Sequence, residues 1–147
     1  MFYLFLKHSH SILRWPILFL LVSSIVLSLY KYLQRKSFSS LDKKVALSAL
    51  SLVHIQLLLG IVLYFISPKV IISSDSMENS LLRFFLIEHS LLMLIAAGII
   101  TLGYSRMKRA KNDNMKHIRL FRFYLSGLIL IVISIPWPWR QLAGGWF

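Results

Sequence analysis

The 147-residue sequence contains no cysteine, so it holds no disulfide, no thiolate metal site and no cysteine nucleophile. It has only five acidic residues, and they are scattered. Paired catalytic carboxylates are therefore excluded. With six glycines it shows no Walker-type phosphate loop, no H-E-x-x-H zinc motif and no G-x-S-x-G nucleophile elbow. Charged residues of both signs make up 15% of the chain, against about a quarter in soluble domains. Internal repeats, low-complexity tracts and signs of a second domain are also lacking.

What is present is apolar. Hydrophobic residues make up 57% of the chain, and the mean hydropathy is +0.70. About 20 apolar residues cross the hydrocarbon core of a bilayer as a helix. Four segments reach that length, at about residues 5–31, 45–66, 81–104 and 120–139. Their spacing is not period two, so they read as helices rather than barrel strands. The predicted fold is an all-α integral membrane four-helix bundle forming a single transmembrane domain over residues 1–147. The N-terminus lacks a basic stretch before its apolar start and a small-x-small cleavage site, so it reads as the first span rather than a cleaved signal.

The net charge of +12 raises the question of nucleic acid. Twelve of the 17 basic residues lie in two stretches between apolar runs. One holds Lys31, Arg35, Lys36, Lys43 and Lys44. The other holds Arg106, Lys108, Arg109, Lys111, Lys116, Arg119 and Arg122. A nucleic-acid binder spreads such residues over a folded, water-exposed face. This pattern is instead the positive-inside signature, which puts both stretches in the cytoplasm and both termini outside. Trp15, Trp137 and Trp139 then fall at the outer interface, and "PWPWR" ends the fourth helix. Asn79 or Ser80 is placed to cap the third helix. The 67–80 loop, with its apolar "VII", reads either as a cover on the bundle mouth or as an ordinary loop.

Polar groups near the middle of a span are costly, which singles out "SLVHIQLLLG" (51–60) and "FLIEHSLLML" (85–94). His54 lies about 18 Å and His89 about 12 Å from the outer ends of their spans. His10 is about 12 Å deep, level with His89, if "FYLFL" (2–6) enters the bilayer. His8 and His117 read as a helix-end residue and a solvated loop residue. A bundle-core imidazole can bond another helix, relay a proton, or ligate a metal or haem. Two histidines on different helices can clamp a haem iron, and a four-helix bundle offers a slot for its plane. The His89 face carries Met93, Ala96 and Ala97, of which the small pair leaves room for a flat ring. Met93 reads as core or as an axial ligand. Arg14, one turn below His10, is placed to meet haem carboxylates or to snorkel to headgroups, and Arg83 and Arg140 share that choice. Glu88 points about 100° from His89 and is placed to pair with Arg83 or Arg14.

Four stretches, "HSILRW" (10–15), "VHIQLLLGIVLYFISPK" (53–69), "EHSLLMLIAAGIITLGYSR" (88–106) and "IPWPWR" (135–140), resemble a group of small bacterial four-span membrane proteins described as cytochrome b-like. The resemblance covers nearly the whole chain and implies haem b in the bacterial cytoplasmic (inner) membrane. A more distant likeness is to one half of haem A synthase. It would match His10 with that enzyme's first histidine, Gln56, Leu59 and Gly60 with its Q-x-x-L-G helix, and His89 with its later histidine. The likeness favours His10 and His89 as iron ligands, with His54 as the reserve and Arg14 beside the cofactor. The chain has four spans where that enzyme has eight, and Arg14 follows His10 by four residues rather than directly. Oxygen-dependent synthase activity is therefore not carried over.

The expected function is a b-type haem protein for electron transfer, with quinone or a larger respiratory complex as partner within the lipid bilayer. The alternative is a haem-free assembly subunit whose histidines bond between helices, for instance His54 to a serine. A small transporter is a third possibility, and no half-helix break or inverted repeat supports it.

Overall fold

In the computed structural model the described residues are 1–140 and 142, with only the backbone described at residue 74. They form four long helices and no strand: α1 (Phe2–Leu33), α2 (Ser40–Ile66), α3 (Ser80–Lys108) and α4 (Asp113–Ser134). Each is long and apolar enough to cross a membrane. They alternate in direction, so the start of α1 and the end of α4 share one end of the bundle. Beyond α4, the expected outside placement of the C-terminus falls on residues 141 and 143–147, which lie outside the described set.

All four spans are found, with longer or shifted helices. Ser39 starts α2 five residues before the expected span through a capping box. Its hydroxyl accepts from the Asp42 N–H, and the Asp42 carboxylate accepts from the Ser39 N–H at 2.7 Å. The same carboxylate receives Lys31 Nζ at 2.7 Å and tethers the ends of α1 and α2. Asn79 caps α3, accepting from the N–H groups of Leu81 and Leu82. Asn112 caps α4 seven residues before the span predicted from residue 120, and α4 stops at Ser134, ahead of Pro136 and Pro138.

That early start overturns the expectation for His117. Rather than lying in a solvated loop, it faces inward from α4 with no exposed surface, and Phe38 covers it with ring centres 5.1 Å apart. The segment joining α1 to α2 folds back over the bundle end here, and the Phe38 N–H donates to Asp113 at 3.0 Å.

Packing is uneven around the bundle. α1 lies between α2 and α4, α4 packs most extensively on α3, and of the neighbouring pairs α2 and α3 meet least. Small residues set the close approaches, as in other membrane bundles. A Cβ on Gly103 would stand 2.4 Å from Phe123 Cβ, and one on Gly127 would stand 2.4 Å from Ile100 Cγ1. Ala46, Ala49, Ala96 and Ala97 are buried, as are Ser24 and Ser28. Tyr124 crosses the core and donates to the Ala46 carbonyl at 2.8 Å. Large side chains such as Phe19, Leu58, Phe65, Leu102 and Ile133 point outward, as lipid-facing residues do.

Gly103→Leu should therefore lower the thermal stability of the detergent-purified protein by about 1–3 kcal/mol, the usual cost of overpacking. Gly98→Ala, where a Cβ meets nothing within 4 Å, should leave the melting curve in place. Equal melting of the two variants would disprove close α3–α4 contact through Gly103.

Candidate functional site

The loose side of the bundle opens into a cavity of about 540 Å³. It lies toward the end that holds the start of α1, and all four helices line it. Its walls are mainly apolar: Val53, Leu57 and Ile61 from α2, Met93, Leu94, Ala96 and Ala97 from α3, and Ile131 and Ile135 from α4. The loop after α2 closes one edge through Ser67, Lys69 and Val70. That loop folds on the Ser76 hydroxyl, which is fully buried and donates to the Ile71 carbonyl at 2.6 Å. Of its apolar "VII", Val70 faces the cavity, and Ile71 and Ile72 are exposed.

His10 and His89 meet at this cavity, with ring centres 6.4 Å apart and planes inclined by 68°. The continuous course of α1 from Phe2 brings His10 level with His89, as the "FYLFL" placement requires. Each histidine is held by specific neighbours.

His89 follows a π-helical turn over Phe84–Glu88, where its N–H reaches back five residues to the Phe84 carbonyl. Such a turn carries one extra residue and re-aims whatever follows it. Ser90 donates to the Phe85 carbonyl at 2.9 Å within the widened turn. The imidazole Nδ1 is 2.8 Å from the Ser134 carbonyl oxygen. A carbonyl only accepts, so Nδ1 carries the proton and the neutral ring keeps its lone pair on Nε2. This second bond is the one metal-bound histidines habitually make.

His10 is fixed through its backbone and its packing. Gln56 Nε2 donates to the His10 carbonyl at 2.8 Å. The His10 ring lies on Gly60, where an added Cβ would come within 3.3 Å of its Cε1. The buried His10 Nδ1 has no hydrogen-bond partner among the described residues, and nor has Gln56 Oε1.

The donor set can be tested against haem. No group of three or more His, Asp or Glu side chains suited to a metal ion occurs among the described residues. Haem requires none, since its macrocycle supplies the equatorial nitrogens and the protein adds one or two axial ligands. The two imidazoles come from different helices to the same cavity, with ring centres 6.4 Å apart, and are the donors that would hold the iron. Ala96 and Ala97 add little bulk to the cavity wall, and the residues present fit the group.

Charge at the cavity is of one sign. Lys7, Arg14 and Lys69 line it, and no Asp or Glu does. Burial, and then the charge of Lys7, hold the Lys69 ammonium below its ordinary pKa. The Arg14 guanidinium lies over the rings of Trp15 and Trp137, 5.2 and 5.8 Å from their centres. Arg83 and Arg140 do not line the cavity. Arg83 pairs with Glu88 at 3.0 Å, and Arg140 donates to the Ile133 carbonyl at 2.6 Å. Met93 does line it. The sequence carried no signal for the π-helical turn, the Ser134 carbonyl or Lys69 as site elements; Gln56 stood out as a polar residue in mid-span, and Gly60 came through resemblance.

His54 is not brought to the cavity. It lies on the α2–α3 seam, with Nε2 3.0 Å from Thr101 Oγ1. Thr101 gives its own proton to the Ala97 carbonyl at 2.7 Å, so His54 Nε2–H is the donor. Compared with known proteins, the chain matches no family model, no curated protein and no solved structure.

His54→Phe should lose one interhelical hydrogen bond, a loss of about 0.6 kcal/mol on the average for membrane proteins. Unfolding by a denaturing detergent would measure it. A loss several times larger would show that His54 has a role beyond that bond.

Proposed function

We propose that the protein is a membrane-embedded b-type haem protein that transfers electrons, held at His10 and His89. The observation that carries the proposal is the facing pair itself. Two imidazoles from different helices have ring centres 6.4 Å apart at an apolar cavity, and the lone pair of His89 is left on Nε2 because its Nδ1–H donates to the Ser134 carbonyl. When bound, haem would supply a one-electron carrier.

The chain's own residues have definite tasks in this reading. Ser134 orients His89 and raises the basicity of its free nitrogen. Gln56 anchors the turn of α1 that carries His10, and Gly60 makes space for its ring. Leu57, Ala96 and Ala97 keep water from the centre. Arg14, with Lys7 and Lys69, matches the carboxylates of such a group by charge. His54 has no part in ligation and acts between helices. The proposed setting is the bacterial cytoplasmic membrane, as the resemblance implies, with the N-terminus outside on the strength of the two basic stretches. Quinol or a larger respiratory complex is the proposed electron partner, which an apolar cavity opening among the helices suits.

Oxidised and dithionite-reduced visible spectra of the detergent-purified protein, with a pyridine haemochrome assay, test the proposal. About one haem b per chain with sharp low-spin bands is expected. His10→Ala and His89→Ala should each abolish those bands, and His54→Phe should keep them. A colourless protein, even after haem is supplied during expression, would overturn the proposal and favour the assembly-subunit reading, in which the histidines serve as interhelical bonds.

A further inference from the structure

A second concave site lies at the opposite end of the bundle. It is a groove between the end of α3 and the first turns of α4, with Tyr32 of α1 at its edge. Arg106, Arg109, Arg119 and Arg122 all line it, together with Asn114, Met115, Ile118 and Phe123. No Asp or Glu lines it, and the ion pairs seen among the described residues use Lys31, Arg83 and Lys116 instead.

Four like charges in one groove repel, so their convergence needs a structural cause or an anion. Part of the cause is visible. The Arg119 guanidinium donates to the Arg106 carbonyl at 2.6 Å, and Arg106 lies 5.0 Å over the Phe123 ring. Gly103 lets Phe123 approach α3 closely enough for this. These contacts fix two guanidiniums without neutralising either. Guanidinium forks match phosphate oxygens bidentately.

The level of the groove decides which phosphate. From Arg119 to Ser134, α4 rises about 22 Å, and the tryptophans follow. With a hydrocarbon core of about 30 Å, Arg119 lies near the far boundary, and Arg122, about one turn further in, reaches it by its long side chain. Met115, Ile118 and Phe123 give the groove an apolar wall beside the charges. A soluble phosphate has no use for that wall, whereas a glycerophospholipid presents its anion and, beside it, the start of its apolar acyl chains.

We propose that this groove binds the phosphodiester headgroup of an anionic membrane lipid. Basic pockets between transmembrane helices on the positively charged side are suited to such headgroups. The proposal rests on the membrane setting of the four helices and is independent of the cofactor reading.

Native mass spectrometry of the intact protein, released from micelles doped with phosphatidylglycerol or phosphatidylcholine, tests it. The wild type should retain phosphatidylglycerol in preference by about tenfold. R119Q/R122Q should abolish the preference. K43Q/K44Q, which removes two charges from the same end but outside the groove, should keep it. Arg109 makes no side-chain hydrogen bond among the described residues, so Arg109→Gln should weaken the preference without disturbing the fold, which covers failure of the double variant to fold. Excess inorganic phosphate should not displace the lipid. Equal retention of both lipids, equal loss in K43Q/K44Q, or displacement by inorganic phosphate would each overturn the proposal. The last two would indicate diffuse charge and a free-anion site respectively.

Discussion

A helix that ends inside or at the edge of a bilayer must find donors for its last carbonyls, because hydrocarbon offers none. At the end of α4 two prolines sharpen this demand. Pro136 and Pro138 have no N–H, so the carbonyls four residues back, Val132 and Ser134, lack their helical donors. The chain answers with side chains. The Trp137 indole N–H donates to Val132 at 2.9 Å, Arg140 donates to Ile133, and His89 donates to Ser134. One requirement of the solvent thus fixes the tautomer of a buried imidazole on a neighbouring helix. The aim of His89 into the cavity depends on where α4 stops.

The uneven packing of the bundle is the second half of that arrangement. Glycines at 103 and 127 let α3 and α4 close on one another. α2 keeps fewer contacts with α3, and the space between them becomes the cavity. A cavity in an apolar bundle forfeits dispersion contacts along its walls. The tight α3–α4 pair, the Tyr124–Ala46 bond and the Lys31–Asp42 tether hold the remaining structure around it. The extra residue in the π-helical turn then sets the face that α3 turns toward the opening.

Much of this was legible in the sequence, and the reasons are specific. The spans follow from apolar length, the helix stops from Pro136 and Pro138, and the cap from Asn79. The level of His10 with His89 follows from counting rise along helices, and Met93, Ala96 and Ala97 from stepping by three and four. What failed depended on partners distant in the chain. His117 has basic neighbours in sequence and looked solvated, yet Phe38, almost eighty positions earlier, buries it. The pairing of Glu88, by contrast, was among those expected, and of its two candidate partners the structure has Arg83. A π-helical turn is a local choice made by the packed bundle, and its sequence resembles that of any apolar helix.

The three membrane-level histidines are best separated by how their nitrogens are satisfied. Hydrogen bonding in a low-dielectric interior is high-stakes, because an unmet polar atom is expensive there. His54 spends Nε2–H on Thr101, whose own proton goes to Ala97, and the chain of bonds closes between two helices. His89 spends only Nδ1, on the Ser134 carbonyl. His10 has a buried Nδ1 that no described group meets, while Gln56 and Gly60 secure its backbone and ring. His54 lies on the exposed α2–α3 seam, and its one hydrogen bond joins two helices away from the cavity. His10 and His89 instead bring their rings together, with centres 6.4 Å apart, at a cavity lined by cations. That difference in bonding within one chain argues that His54 and the His10–His89 pair serve different purposes.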